Sequence, residues 1–213
     1  MVNIALKLLM GRNTMTKKTI VLLTALLFGM GVIFISCAGM QVKPTASNFK
    51  APKIALEMVE IPQYDGYWYY GGKIKPTKGK AGNHGAPLPM AVTFNITNPN
   101  SYPVFLDGYK FTIGFEGFDL VTVNGYDTQW IPAGKTNQLR ATTMITVRSG
   151  LLSLLVTGGF KLKAKGTNAW AALEKWWTNI ADMSFPITVS QGAFTFAADG
   201  VSKTLPFKAT YPK

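Results

Sequence analysis

Residues 90–147 read MAVTFNITNPNSYPVFLDGYKFTIGFEGFDLVTVNGYDTQWIPAGKTNQLRATTMITV, and four strands can be marked off within them. Met90 to Thr97 alternates apolar and polar residues, the period of a half-buried strand, and Asn98-Pro99-Asn100 stops it. Val104 to Phe115, Leu120 to Tyr126 and Gln138 to Val147 follow, rich in β-branched and aromatic residues and separated by Gly, Pro or Asn. Short strands at this spacing, with turn residues between them, predict an all-β sandwich.

The flanking sequence extends the pattern. Ile54 to Ile61 partly alternates and ends at Pro62. Ser184 to Val189, Ala193 to Ala198 and Lys203 to Tyr211 are further strands, the last two joined by an Asp199-Gly200 hairpin turn. Two stretches break the β pattern. Ser149 to Thr157 is a short apolar helix candidate, and Asn168 to Ala181 places Trp170, Leu173, Trp177 and Ile180 on one helical face. No internal repeat is visible.

The apolar residues are unevenly spread. Thr19 to Ser36 reads TIVLLTALLFGMGVIFIS, uncharged, directly after Lys17-Lys18. A basic region, an apolar run and small residues at its end describe a secretory signal. An uncleaved membrane helix is the competing reading, since the run is about as long as the shortest spanning helix. Phe34-Ile35-Ser36-Cys37 resembles the lipobox of bacterial lipoproteins, with Phe34 where Leu is usual; the resemblance implies that Cys37 is acylated and becomes the mature N-terminus. Met15 is a second candidate start. Residues 1–36 are thus expected to form the signal, 37–52 a flexible Pro/Thr/Ser/Lys tether, and 53–213 the folded domain. Ala38 after the Cys looks like outer-membrane sorting, facing the periplasm, if the source is Gram-negative.

Composition narrows the function. The chain has 213 residues, 47% of them hydrophobic and 15% charged, which excludes a disordered polyelectrolyte. Beyond residue 36 there remain 18 basic against 10 acidic residues, a net +8 that favours anionic lipid or another envelope polyanion. Nucleic acid is not expected for an exported protein. One Cys and one His leave no internal disulfide and no zinc site of His/Cys type. No G-x-S-x-G, Walker-type or H-E-x-x-H motif occurs. No cofactor and no enzyme activity are expected.

The 90–147 block resembles the group 2 late-embryogenesis-abundant domain, also called the water-stress and hypersensitive-response domain. Asn98-Pro99-Asn100, Pro103, the Gly108-to-Ile113 strand and Ile131-Pro132-Ala133-Gly134 stand in the family's order. Pro99 removes a ladder donor while Asn side chains cap the turn, and Pro132 with Gly134 sets a tight turn, so Asn98, Pro99, Asn100, Pro132 and Gly134 are structural positions. The resemblance covers about residues 53–155 and, weakly, the last strands; the Tyr64–Gly72 stretch, the loop to Pro89 and the Lys161–Ala181 part of a helical insertion at about 149–181 look additional to it. It implies an immunoglobulin- or fibronectin-III-like sandwich with one or two short helices, and a non-catalytic role linked to desiccation or envelope stress. Some members of the wider family have been proposed to bind lipid.

Other clusters have competing explanations. His84 sits among Gly82, Asn83 and Gly85 with no orienting carboxylate nearby, as an exposed loop His would. Glu57 with Glu60, or Glu116 with Asp119, are carboxylate pairs that a solvated strand or turn explains. Tyr64, Tyr67, Trp68, Tyr69 and Tyr70 form an aromatic cluster, either an interface or a strand packing alternate rings inward. Lys161, Lys163 and Lys165, read as one face of a strand, lie near Trp170, Trp176 and Trp177 and suggest an interfacial segment. The alternative is a helix plugging one end of the sandwich; Trp176, off the main stripe, separates the two by its exposure. A lipid-handling protein is the rival function. It requires an apolar slot opening toward Trp170–Trp177, which a closed, packed core would count against.

Overall fold

The structure, a computed structural model, describes residues 42–63 and 86–212. It is a two-sheet β-sandwich with short helices. The strands are β1 (Lys53–Glu60), β2 (Leu88–Thr97), β3 (Val104–Phe115), β4 (Phe118–Gly125), β5 (Gln129–Ile131), β6 (Thr136–Ile145), β7 (Ile187–Ala198) and β8 (Val201–Tyr211). One sheet has the order β1-β2-β6; the other runs β4-β3-β7-β8, and β5 pairs with the first half of β3. All these pairings are antiparallel.

Side-chain alternation builds the core between the sheets. Leu88, Met90, Val92, Phe94 and Ile96 of β2 are buried and face the core. The outward residues Ala91 and Thr93 are buried too. In β3 the inward set changes from Val104 and Leu106 to Tyr109, Phe111, Ile113 and Phe115, and the register shifts between Leu106 and Gly108. An extra residue in a strand reverses which side faces the core. The same device joins the two strands expected at 184–189 and 193–198 into the single β7. Gln191 takes φ 51°, the register shifts between Val189 and Gly192, and the inward set changes from Ile187 and Val189 to Phe194 and Phe196. Gly192 is required at the bulge: a Cβ there would lie 2.7 Å from both Cβ and O of Phe207. Phe94 sits at the centre, edge-on to Phe111, Phe194 and Phe207 at 5.1, 5.2 and 5.5 Å between ring centroids.

The helical part follows β6. Helix α1 (Val147–Ser153) continues through a π-helical turn (Leu154–Gly158) into α2 (Gly159–Ala164), and α3 (Ala169–Asn179) ends in a 3₁₀ turn at Ile180–Asp182. Thr146 and Ser149 form a reciprocal capping box at the start of α1. The Asn168 side chain caps α3 by accepting from the N–H groups of Trp170 and Ala171. Lys161, Lys163 and Lys165 are therefore on α2 and its C-cap, not on a strand as expected. Leu154, Gly158 and Leu162, four residues apart, carry the buried helical face through that region.

Of the tether expected at 37–52, residues 43–52 are part of the folded unit. From Lys43 the chain belongs to the same compact unit as the sandwich. Phe49 is buried in the core, and the Lys50 backbone is held by Asn100. Phe49 in the core and the hydrogen bonds of Asn48 and Lys50 together hold that segment against the sandwich.

Candidate functional site

The Asn-Pro-Asn turn is a polar knot under the sandwich's end. Asn98 is fully buried; its Nδ2 donates to the carbonyls of Tyr102, Ile131 and Pro132 at 2.8, 3.0 and 3.2 Å. Its Oδ1 accepts from the backbone N–H and the Nδ2 of Asn100, both at 2.9 Å. The Asn100 side chain in turn exchanges two 2.8 Å bonds with the Lys50 backbone, and the Tyr102 hydroxyl donates to Asn48 Oδ1. The Asn100 carbonyl accepts from Gly134, whose φ of 64° is left-handed. Pro132 and Gly134 thus shape the turn that closes onto this knot. Burial raises the Tyr102 phenol above its ordinary pKa. Both polar side-chain atoms of Asn98 are hydrogen-bonded within the protein, so this side chain is engaged in holding the turn.

The helical segment is fastened to the β3–β4 hairpin. Its two-residue turn, Glu116-Gly117, has φ of 49° and 83°, the left-handed pair of a type I′ turn. The Glu116 carboxylate accepts from Trp176 Nε1 at 2.8 Å and pairs with Lys175. Lys161 and Lys165 donate to the hairpin carbonyls of Gly117 and Glu116, and both ammonium groups lie over the Phe118 ring. Burial pushes the Glu116 carboxyl up. The hydrogen bonds from Lys175 and Trp176, with the charges of Lys175 and Lys165, outweigh it and hold the pKa below the ordinary value.

Trp176 is consequently not an interface residue. It is fully buried, with Phe115 at 5.7 Å and Phe118 at 5.6 Å between ring centroids, because Glu116 satisfies its N–H from another element. Trp177 is also fully buried and donates to the Ala86 carbonyl, while Trp170 is partly buried against the core. The helix plugs its end of the sandwich.

What the sequence did not single out is the other face of the α1–α2 run. Val147, Gly150, Leu154, Gly158 and Leu162 pack inward. Leu152, Leu155, Val156 and Phe160 point to solvent, with exposures of 57%, 64%, 82% and 96%. The spacing 152–156–160, parallel to 154–158–162, was the available signal.

The carboxylate pairs are separated by their partners. Glu57 accepts from Gln138 and Glu60 pairs with Arg140. Asp119 accepts from Ser190 and Gln191, whereas Glu116 turns to α3. On the outer face of the larger sheet, Asp107, Lys110, Asn124 and Tyr126 border a shallow hollow of about 320 Å³. Beside it, Tyr109 donates to Asp127 at 3.1 Å; burial, that bond and the Asp127 charge push its phenol up to about 12. Among the described residues no three His, Cys, Asp or Glu side chains are grouped to hold a metal, and no helix is long and apolar enough to cross a membrane. Cys37, Tyr64, Tyr67, Trp68, Tyr69, Tyr70 and His84 lie outside the described residues.

No family model matches the chain, and no curated protein matches it significantly. Solved structures do. One is a protein from Archaeoglobus fulgidus, 12% identical with a TM-score of 0.38, covering 76% of this chain and 92% of that one. Another, assigned as ApaA of Bordetella pertussis, is 11% identical at a TM-score of 0.38, covering 79% and 94%. A third is a solution structure of a protein assigned as late embryogenesis abundant (LEA), 10% identical at 0.31, covering 92% and 87%. At these identities and TM-scores the likenesses carry no conclusion about activity.

Proposed function

We propose that the chain is a non-catalytic lipoprotein of the cell envelope, whose LEA group 2-like sandwich binds or protects envelope components under stress. The observation that carries this reading is the sequence Lys17-Lys18, an uncharged run to Ser36, then Cys37, with the folded unit beginning at Lys43. A single acyl chain binds a membrane only marginally, so two or three on Cys37 make a stable anchor without a spanning helix. The motif block from Asn98 to Gly134 supports the LEA-like assignment, since its residues make one hydrogen-bonded unit. The rival, a lipid-transfer protein with an acyl slot opening near α3, is disfavoured because Trp176, Trp177, Phe115 and Phe185 fill that end with ring contacts.

Mass spectrometry of the full chain extracted from its membrane tests the proposal. A mass beginning at Cys37 with added acyl groups, absent in Cys37→Ala, is the expected result. A mass retaining the residues before Cys37 would replace the lipid anchor by an uncleaved helix.

A further inference from the structure

The α1–α2 run is apolar on two opposite faces, and the sandwich covers only one. A helix apolar all round belongs in a buried setting. Here Leu152, Leu155, Val156 and Phe160 stand in solvent instead. Along this stretch of sequence the charge has one sign; the Glu116 carboxylate across from it is paired with Lys175. From Arg148 to Leu173 there are four basic residues and no Asp or Glu. Lys163 is exposed, three residues on from Phe160 and so one helical turn further along the same side. Lys161 and Lys165 are exposed as well, although each donates to the β3–β4 hairpin. Apolar side chains that project outward beside a cationic margin match the boundary of an anionic bilayer, where apolar groups enter and ammonium groups meet phosphate.

We propose that this face is a docking surface for an anionic phospholipid membrane, with Phe160 and Val156 entering the headgroup–acyl boundary and Lys163 at the lipid phosphates. The inference deepens the envelope reading, because a lipid anchor supplies a nearby bilayer, but the surface acts without the anchor. It gives the protein a defined orientation: helices down, the opposite parts of the sandwich free for a partner.

The test uses Lys43–Lys213, a compact unit that contains the buried core of the described residues, from Phe49 to Ala198. Its co-sedimentation is measured with vesicles of phosphatidylcholine alone and of equal phosphatidylcholine and phosphatidylglycerol. A thermal melt of each variant checks the fold. The segment is expected to bind the anionic vesicles, and more weakly as salt rises. Phe160→Ser should weaken binding at least about tenfold and Lys163→Gln about fivefold, both without lowering the melting temperature. No binding, or binding that neither substitution changes, overturns the proposal; because no acyl group is present, it does so without touching Cys37. If the segment forms dimers that Phe160→Ser dissociates, and does not bind vesicles, the face is instead covered by a second copy.

Discussion

Replacing Asn98 tests how far the Asn-Pro-Asn turn holds the sandwich together. Asn98 Nδ2 faces three carbonyl oxygens within 3.2 Å, and its Oδ1 faces two N–H donors of Asn100. Asn98→Ala removes both sets. The Pro132 carbonyl keeps Lys135 N–H as a partner, but the Asn100 amide loses its acceptor. At about 1–3 kcal/mol for each buried group left unpaired, the loss should be about 2–4 kcal/mol at any pH. Asn98→Asp is nearly isosteric and behaves differently. Protonated, its carboxyl donates to one carbonyl; ionised, it sets negative charge against three carbonyl oxygens in a buried site. Its folded pKa is therefore raised above the unfolded value. Stability is retained below the unfolded pKa and lost as pH rises. A rise of about 3 units would cost about 4 kcal/mol at neutral pH, a large part of a domain's 5–15 kcal/mol. Urea denaturation of Lys43–Lys213 and both variants, from about pH 4 to 7, reads the difference. A stability of Asn98→Asp that does not fall with pH, or that equals the parent's at neutral pH, would refute the account of the turn.

Other expectations follow from the same geometry. Glu116 has a lowered folded pKa, so its contribution is present above the unfolded carboxylate pKa and lost as pH falls through the folded one; Glu116→Gln should flatten that acid limb, by no more than about 1 kcal/mol for a partly exposed pair, in denaturation curves. The raised Tyr109 phenol gives the opposite limb, stability lost as pH climbs from about 10 to about 12, which Tyr109→Phe should remove from a thermal-melt series along with one late-titrating tyrosine in the ultraviolet. Gly192→Ala must displace the Phe207 strand and should be the costlier change, at about 3 kcal/mol, whereas Gly134→Ala meets nothing within 4 Å and should cost only the left-handed backbone term of about 1 kcal/mol; paired urea titrations that gave equal losses would refute the bulge account.

The strands were legible because alternation and turn residues are local. Val104 to Phe115 was marked to its ends, and Asp199-Gly200 makes the hairpin expected of it, with both residues at positive φ. The misses have non-local causes. β5 is three residues long, too short for a period, and exists through its pairing with Val104–Leu106. The bulge in β7 reads as a gap between strands, since Gly192 is there for the approach of Phe207. Lysines at every second position imitate a strand in the sequence, and only the buried series Leu154, Gly158 and Leu162 reveals the helix. Trp176 lies off the stripe of α3; it is buried because Glu116, sixty residues away, brings an acceptor to its indole. The exposed face at Leu152–Phe160 was hidden by its resemblance to an ordinary core helix.

The two hydrogen bonds between Asn100 and Lys50 have a mechanical consequence. β1 is antiparallel to β2 and begins where β2 ends, Lys53 opposite Thr97. Tension arriving through residues before Lys43 would otherwise open that ladder one rung at a time from its first rung. Ahead of it stand Phe49 in the core, Asn48 on the Tyr102 hydroxyl and Lys50 on Asn100. These contacts have to be broken before the first rung is loaded. If the chain is anchored through its N-terminal segment, as proposed above, the turn would act as a strain relief, like the clamp where a cable enters its housing.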